Sequence, residues 1–324
     1  MIRLCRVDAK SPKEADLKVM DAISLVIDAA GKRLPSLAYR LEEPMRNHTS
    51  MRIGGPARVM FFPENPDTLT ELCDLLHEHR VAPLIVGNGT NLLADDRPLN
   101  VIAVKTAGLN NIERTGETEI SADSGVLLSK LAAFACECGL SGLEFAHGIP
   151  GTLGGAVFMN AGAYGGEMKH IVSKTAAYNL ETGRVIITGE EHGFSYRRSR
   201  FTDTGEIVLQ SAVRLNNADM DSIRSMMDEL NVRRRESQPL DLPSAGSTFK
   251  RPHNGYAAAL IEQAGLKGYT FGGAQVSEKH AGFVVNRGGA SFYEVMAVID
   301  HVRETVLKQS GIELEPEIKI IRRI

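Results

Sequence analysis

Apolar residues recur at helical spacing from about Glu14 to Ala30, where Leu17, Met20, Ile23 and Ile27 share a face and Gly31 follows as a C-terminal stop. After a proline-interrupted connection, the chain bends at Gly55 into the apolar strand ARVMFF, which ends at Pro63. Thr68 and Glu71 read as a capping box for a helix carrying Leu69, Leu72, Leu75 and Leu76. A buried strand, Leu84 to Val86, comes next, then the short strands VIAVKT and EISADS and a helix from about Val126 to Cys138 closed by Gly139. TAAYNL and RVIIT, separated by Glu181, Thr182 and Gly183, form a hairpin, and IVLQSAVRL is a further strand. Met220, Ile223, Met227 and Leu230 return to helical spacing and run into Arg233, Arg234 and Arg235. YAAALIEQAG is a short helix stopped by Gly265, and a strand from Gly282 to Asn286 follows a loop. Ser291 and Glu294 box the last helix, whose stripe is Phe292, Val295, Val298, Ile299, Val302 and Leu307 and whose end is Gly311. The closing GIELEPEIKII alternates, with Ile312, Leu314, Ile318 and Ile320 on one face and Glu313, Glu315 and Glu317 on the other.

One stretch fits neither period. From Gly148 to Glu167 the chain has seven glycines, one proline and no lysine or arginine, which predicts neither an ordinary helix nor a strand. Unhindered N–H groups in such a run converge on phosphate oxygens; a tight corner is the other reading. A second polar loop, Gly87, Asn88, Gly89, Thr90 and Asn91, follows the strand at Val86. It is no Walker loop, since GxxxxGK[ST] is absent, and no Rossmann fingerprint, since GNGTNL lacks the third glycine. Two such loops facing one another would grip an extended ligand such as a dinucleotide.

With 324 residues, 43% apolar and 24% charged, the chain is soluble and globular, with room for two or three domains. A net charge of −3 leaves no global basic field for duplex nucleic acid. Cys5, Cys73, Cys136 and Cys138 form no CxxC pair and read as reduced thiols of a cytoplasmic protein. The amino terminus has no apolar core of a signal peptide, and no run is long and apolar enough to span a membrane. Ser247 sits in the loop from Gln238 to Pro252, either as a backbone cap or as a hydroxyl placed near an anion; neither a GxSxG elbow nor a Ser–His–Asp order accompanies it. The arginine cluster suits a helix C-terminus, or a diphosphate contact by one member.

TSMRIGGPA, GNGTNLL, GIPGTLGGAVFMNAGAYGGE, SYRRSRF, SAGSTFKRP, AGLKG, SEKHAGFVVN and LEPEIKII occur in this order. From about Leu41 to the C-terminus the chain thereby resembles the UDP-N-acetylenolpyruvoylglucosamine reductases, flavoenzymes of peptidoglycan precursor synthesis. The resemblance implies an α+β protein with a vanillyl-alcohol-oxidase/PCMH-type FAD-binding domain and a smaller α+β substrate-binding domain. Residues 1–40 would be an N-terminal extension, 41–216 the FAD domain and 217–324 the substrate domain, its last strand returning to the active-site cleft. FAD would be held by Gly87, Asn88, Gly89, Thr90, Asn91 and Leu92 and by Gly148, Ile149, Pro150, Gly151, Thr152, Gly154, Gly155 and Ala156. NADPH would reduce it, leave, and be replaced by the enolpyruvyl sugar nucleotide.

Carried over motif by motif, the catalytic residues are Arg197, the proton-donating Ser247, and Glu317, with Tyr196, Arg235, Lys250 and Arg251 as substrate contacts. The short spacing from Tyr196 to Ser247 resembles the branch without an inserted tyrosine loop, and Arg251 stands where the other branch has asparagine. The implied enzyme is a cytoplasmic monomer acting on a small molecule, with no metal, membrane or nucleic-acid partner. Two further readings are an oxidase or dehydrogenase of the same flavin fold, and a nucleotide-binding module without catalysis.

Overall fold

The computed structural model describes the backbone of residues 12–323 and side chains from Met20 to Arg323; Cys5, the amino-terminal stretch and the side chain of Leu17 lie outside the described residues. The chain begins with α1 (Pro12–Arg33), β1 (Ala38–Pro44), β2 (Pro56–Phe62) and α2 (Pro66–Glu78). Short strands follow: β3 (Leu84–Val86), β4 (Leu92–Ala94), β5 (Leu99–Lys105), β6 (Ile112–Arg114) and β7 (Glu119–Asp123). Then come α3 (Leu128–Glu137), β8 (Leu140–Ser141), α4 (Glu144–His147), α5 (Leu153–Phe158), β9 (Gly162–Ala163) and β10 (Gly166–Glu167). Next are β11 (Val172–Asn179), β12 (Gly183–Thr188), α6 (Arg200–Thr204), β13 (Ile207–Arg214), β14 (Asn216–Asn217) and α7 (Met220–Ser237). The last are α8 (Ala257–Gln263), β15 (Thr270–Phe271), β16 (Ala274–Val276), β17 (Val284–Asn286), α9 (Phe292–Ser310) and β18 (Lys319–Ile321). Two compact units result, the first from residues up to Glu42, Ala57–Asn88 and Asn100–Asn231, the second from Glu43–Pro56, Gly89–Leu99 and residues from Val232 onward.

The first unit holds two larger sheets and the two-stranded pairs β9–β10 and β8–β14. One of the larger sheets has the order β1-β2-β5-β3, with β3 parallel to β5 and Val86 opposite Lys105. Ile23, Val26 and Ala30 of α1 and Leu69, Leu72 and Leu76 of α2 join Val59, Phe61 and Ile102 in one apolar core. The other sheet, β12-β11-β13-β7-β6, is antiparallel throughout, and its core gathers Leu131, Ala135, Phe145, Val157 and Val213. The expected hairpin is present: Asn179 pairs with Gly183, and the Asn179 carboxamide oxygen accepts from the N–H groups of Glu181 and Thr182.

In the second unit, Val295, Val298, Ile299 and Val302 of α9 pack in one core with Ala274, Val276 and Val284 of the three-stranded sheet β15-β16-β17. The Ser291–Glu294 capping box and the left-handed Gly311 stop are both as the sequence predicts. Strand β18 runs parallel to β4, with Lys319 opposite Leu92.

Four expectations are corrected. Helix α1 continues through Gly31 to Arg33, and it ends before Pro35, which disfavours helical geometry at Leu34. The cap of α2 is Asn65, whose side chain accepts from Thr68 N at 2.9 Å, with Pro66 at the first helical position in place of the Thr68–Glu71 box. The glycine-rich stretch does contain a short helix, α5, capped by Thr152. Strand β18 covers only Lys319–Ile321 of the alternating C-terminal segment; Leu314 and Ile318 are buried, but Pro316 cannot donate to a ladder.

His192 is fully buried, its Nδ1 2.9 Å from the Gly189 carbonyl and its Nε2 2.9 Å from Thr175 Oγ1. Burial pulls its pKa below the ordinary imidazole value; a neighbouring Arg200 acts in the same direction, and the Gly189 bond and Glu191 oppose it. As pH falls, the unfolded chain therefore takes up this proton first, so the stability it contributes is full above about 6.5 and is lost below. Melting temperature is expected to fall between about pH 7.5 and pH 5.5, with a flatter slope in His192→Gln; equal slopes would remove His192 from the account.

Candidate active site

Three segments of the first unit converge because glycine lets their backbones touch. Strand β3 ends at Gly87, where a Cβ would lie 2.5 Å from Thr152 Oγ1. Asn88 Nδ2 donates to the Pro150 carbonyl at 2.7 Å, tying the first loop to the second. Lys105, beside Val86 on β5, donates from Nζ to the Gly87 carbonyl at 2.6 Å, and burial lowers its pKa. The second loop is laid along residues 124–128: Gly154 N donates to Ser124 O, Leu153 N to Val126 O and Leu128 N to Gly151 O. A Cβ on Gly154 would stand 2.7 Å from Ser124 Cβ, and one on Gly125 only 1.8 Å from the Thr106 carbonyl oxygen. A cavity of about 240 Å³ opens here, lined among others by Gly87, Asn88, Gly125, Lys130 and Thr152.

The sequence reading missed the third segment, Ser124–Gly125, which carries a weaker signal than the other two: one glycine between strand β7 and helix α3. It also missed Lys105 and Lys130, so the loops are neutral but their surroundings carry two cations.

The first loop passes into the second unit at Gly89. Gly89 has a φ of 66°, and a Cβ there would lie 1.9 Å from the His48 carbonyl oxygen. Ser50 N donates to Gly89 O, and Asn91 O accepts from Lys319 N at 2.9 Å while its Nδ2 donates to Glu317 O at 3.4 Å. Thr90 follows Gly89, and Leu92 opens β4 against β18. TSMRIGGP, the GTNLL part of the first loop and LEPEIKII are thus neighbours in the second unit.

The second half of the glycine-rich stretch serves Arg197. Buried Asn160 donates to Glu167 Oε2 at 2.9 Å and to Ser195 O at 3.0 Å, and Ser199 Oγ donates to Phe158 O at 2.6 Å. Tyr164 and Gly165, both at positive φ, turn the hairpin β9–β10. Ser195 and Arg198 exchange backbone bonds across a tight turn that puts Arg197 at a φ of 54°. Its Nη2 donates to Gly162 O at 3.3 Å, and its guanidinium lies 5.1 Å from the Tyr196 ring centre. A non-glycine residue in this region is strained, and such strain persists where surroundings over-determine it.

In the second unit, Ser247 is exposed between Gly246, at a φ of 73°, and buried Thr248. Glu317 N donates to Thr248 O at 2.8 Å, and Lys250 N to Glu315 O at 2.9 Å. Ser247, Lys250 and Glu317 are therefore brought onto paired backbones. Lys250 Nζ bonds Glu315 Oε1 at 2.5 Å. Lys319, another residue the sequence reading passed over, has its pKa lowered by burial and by Lys250, against the pull of Glu315 and Glu317. Arg251 stacks on Tyr256 at 4.1 Å from the ring centre and donates to Gly255 O. Arg235 is exposed on α7, where its carbonyl accepts from Lys279 Nζ. Arg197 and Tyr196 belong to the first unit, the other catalytic and substrate candidates to the second.

Residues 57–189 match the family model of an FAD binding domain, and residues 238–321 that of the UDP-N-acetylenolpyruvoylglucosamine reductase C-terminal domain. The reductase of that name from Caldanaerobacter subterraneus subsp. tengcongensis is 46% identical over 297 residues, 92% of this chain and 98% of the relative. That from Limosilactobacillus reuteri is 44% identical over 290 residues, 89% of this chain and 97% of the relative. The chain belongs to the UDP-N-acetylenolpyruvoylglucosamine reductase family. The crystal structure of the Thermus caldophilus reductase shares the fold, with a TM-score of 0.75 and 30% identity over 88% of this chain and 98% of that one.

As a member of this reductase family the chain is an FAD-containing oxidoreductase of α+β fold, with a vanillyl-alcohol-oxidase-type FAD-binding domain. The first unit suits the cofactor: its convergent glycines put no side chain over the main chain, and Ser124 Oγ is buried with no partner among the described residues. The cavity, smaller than the roughly 300–1,000 Å³ of whole-ligand pockets, has room for only part of a dinucleotide. The loop spacing is testable. Gly87→Ala is expected to weaken FAD binding about tenfold or more, and Thr152→Ala in that background to recover part of the loss, because the clash is with Thr152 Oγ1. Strictly additive losses would show that the approach of the two loops is not the constraint.

Proposed function

We propose that the chain reduces UDP-N-acetylglucosamine enolpyruvate to UDP-N-acetylmuramate with NADPH as hydride donor, as a cytoplasmic monomer supplying peptidoglycan precursor. Residues 41–216 form the cofactor domain, which also supplies Tyr196 and Arg197 to the substrate, and residues 217–324 the substrate domain. The observation that carries this reading is the backbone pairing of the Ser247 segment with Glu317 in the second unit. FAD, when bound, supplies the carrier that takes hydride from NADPH and passes it to C3 of the enolpyruvyl group.

The protein's own groups handle the charge and the proton. Addition at C3 pushes the double-bond electrons toward the substrate carboxylate, and the fixed Arg197 guanidinium stabilises that charge. Ser247 Oγ then gives its proton to C2, which completes the CH–CH3 unit. A hydroxyl is a weak acid, so its conjugate base needs cations nearby, and Lys250 and Lys319 converge on the segment of Glu315 and Glu317. Glu317 orients the carboxylate end of the substrate. Tyr196, Arg235, Lys250 and Arg251 meet the sugar nucleotide, Arg251 from its stack on Tyr256.

Ser247→Ala is expected to leave reduction of the flavin by NADPH at its wild-type rate and to slow flavin reoxidation by the enolpyruvyl sugar nucleotide about 10²- to 10⁴-fold in single-turnover kinetics. Equal loss in both half-reactions would contradict the proton-donor role.

A further inference from the structure

Around the cradle the polar side chains are committed to protein. Asn88 Nδ2 holds the Pro150 carbonyl, and Thr152 Oγ1 accepts from Gly155 N. Asp123 Oδ2 accepts from Asn111 N and its Oδ1 from Gln210 Nε2. Ser124 differs. Its N–H donates to Leu209 O at 2.9 Å and its carbonyl accepts from Gly154 N at 2.8 Å, so the backbone is satisfied. Its hydroxyl, on a residue only 2% exposed, has no partner among the described residues. A buried hydroxyl left unmade costs about 1–3 kcal/mol, and alanine would fill the same space without that cost.

The hydroxyl also stands between two glycines at the edge of the cavity. Gly154 has room for no Cβ against it, and Gly125 beside it lines the cavity that Gly87 and Thr152 bound. Lys130 gives that cavity a cation. An anionic oxygen reaching this spot would find one O–H donor without a competing acceptor.

We propose that Ser124 is a direct ligand of FAD, its Oγ–H donating to a diphosphate oxygen, and that the Ser124–Gly125 turn is the third arm of the grip. The inference rests on the chain binding FAD as its family does. It gives Ser124→Ala an unusual signature: the full chain stripped of flavin loses no stability, while FAD binds about ten- to a hundredfold more weakly. Flavin fluorescence titration measures the second quantity and thermal melts of the stripped chain the first. Ser124→Cys, nearly isosteric but a poor donor, is expected to behave as the alanine variant does.

Unchanged FAD affinity in either variant overturns the proposal and leaves the reductase reading intact. A parallel fall in stripped-chain stability and affinity also overturns it, since the hydroxyl would then serve the fold. A wild-type chain that takes up no FAD overturns both.

Discussion

A carbonyl oxygen 1.8 Å from where a β-carbon would stand admits only glycine at position 125, and the same constraint recurs at Gly89 against His48 O. Close main-chain approach is what the rest of the structure depends on. It brings the end of β3, the turn after β7 and the loop before α5 together in the first unit, and it sets Gly89 on the TSMRIGGP segment in the second. The cost is backbone entropy at many glycines, offset by bonds such as Gly154 N to Ser124 O and Asn88 Nδ2 to Pro150 O. What the arrangement gains is main chain that no side chain covers, the kind of surface that suits a phosphate.

The glycine-rich stretch turns out to have two duties. Residues 148–156 belong to the cradle. From Asn160 to Glu167 it builds a small scaffold whose hub, buried Asn160, holds Ser195 O and so fixes the turn that carries Arg197 at positive φ. A guanidinium fixed this way costs little reorganisation when charge develops near it, the property that electrostatic stabilisation requires. In the second unit the parallel device is strand-like pairing, which sets Ser247 and Glu317 on adjacent backbones and gathers Lys250, Glu315 and Lys319 around them.

Much of this was legible in the residues. The periods of Leu84–Val86, of the 172–188 hairpin and of α9 gave their elements, and the two glycine loops were visible because glycine density is a compositional signal. Gly31 was misread because a glycine inside a helix looks like one at its end; a tertiary face built on Ile23, Val26 and Ala30 carries the helix past it. The Ser124–Gly125 turn escaped notice because a single glycine after a strand is common, and its meaning comes from Thr106 O, nineteen residues from Gly125 in the chain and under 2 Å from where a Cβ on Gly125 would stand. Lys105 and Lys319 carry no signal in the sequence. Only the register of Val86 with Lys105, and of Lys319 with Leu92, turns them toward the loops.

The account stands most directly on the visible absorption spectrum of the purified full chain, followed under exclusion of oxygen through addition of NADPH and then of the enolpyruvyl sugar nucleotide. The expected result is an oxidised-flavin spectrum that bleaches with NADPH and returns, with one equivalent of the sugar nucleotide, to its starting intensity. A colourless chain, or a bleached one that the sugar nucleotide leaves bleached while oxygen restores it, would contradict it.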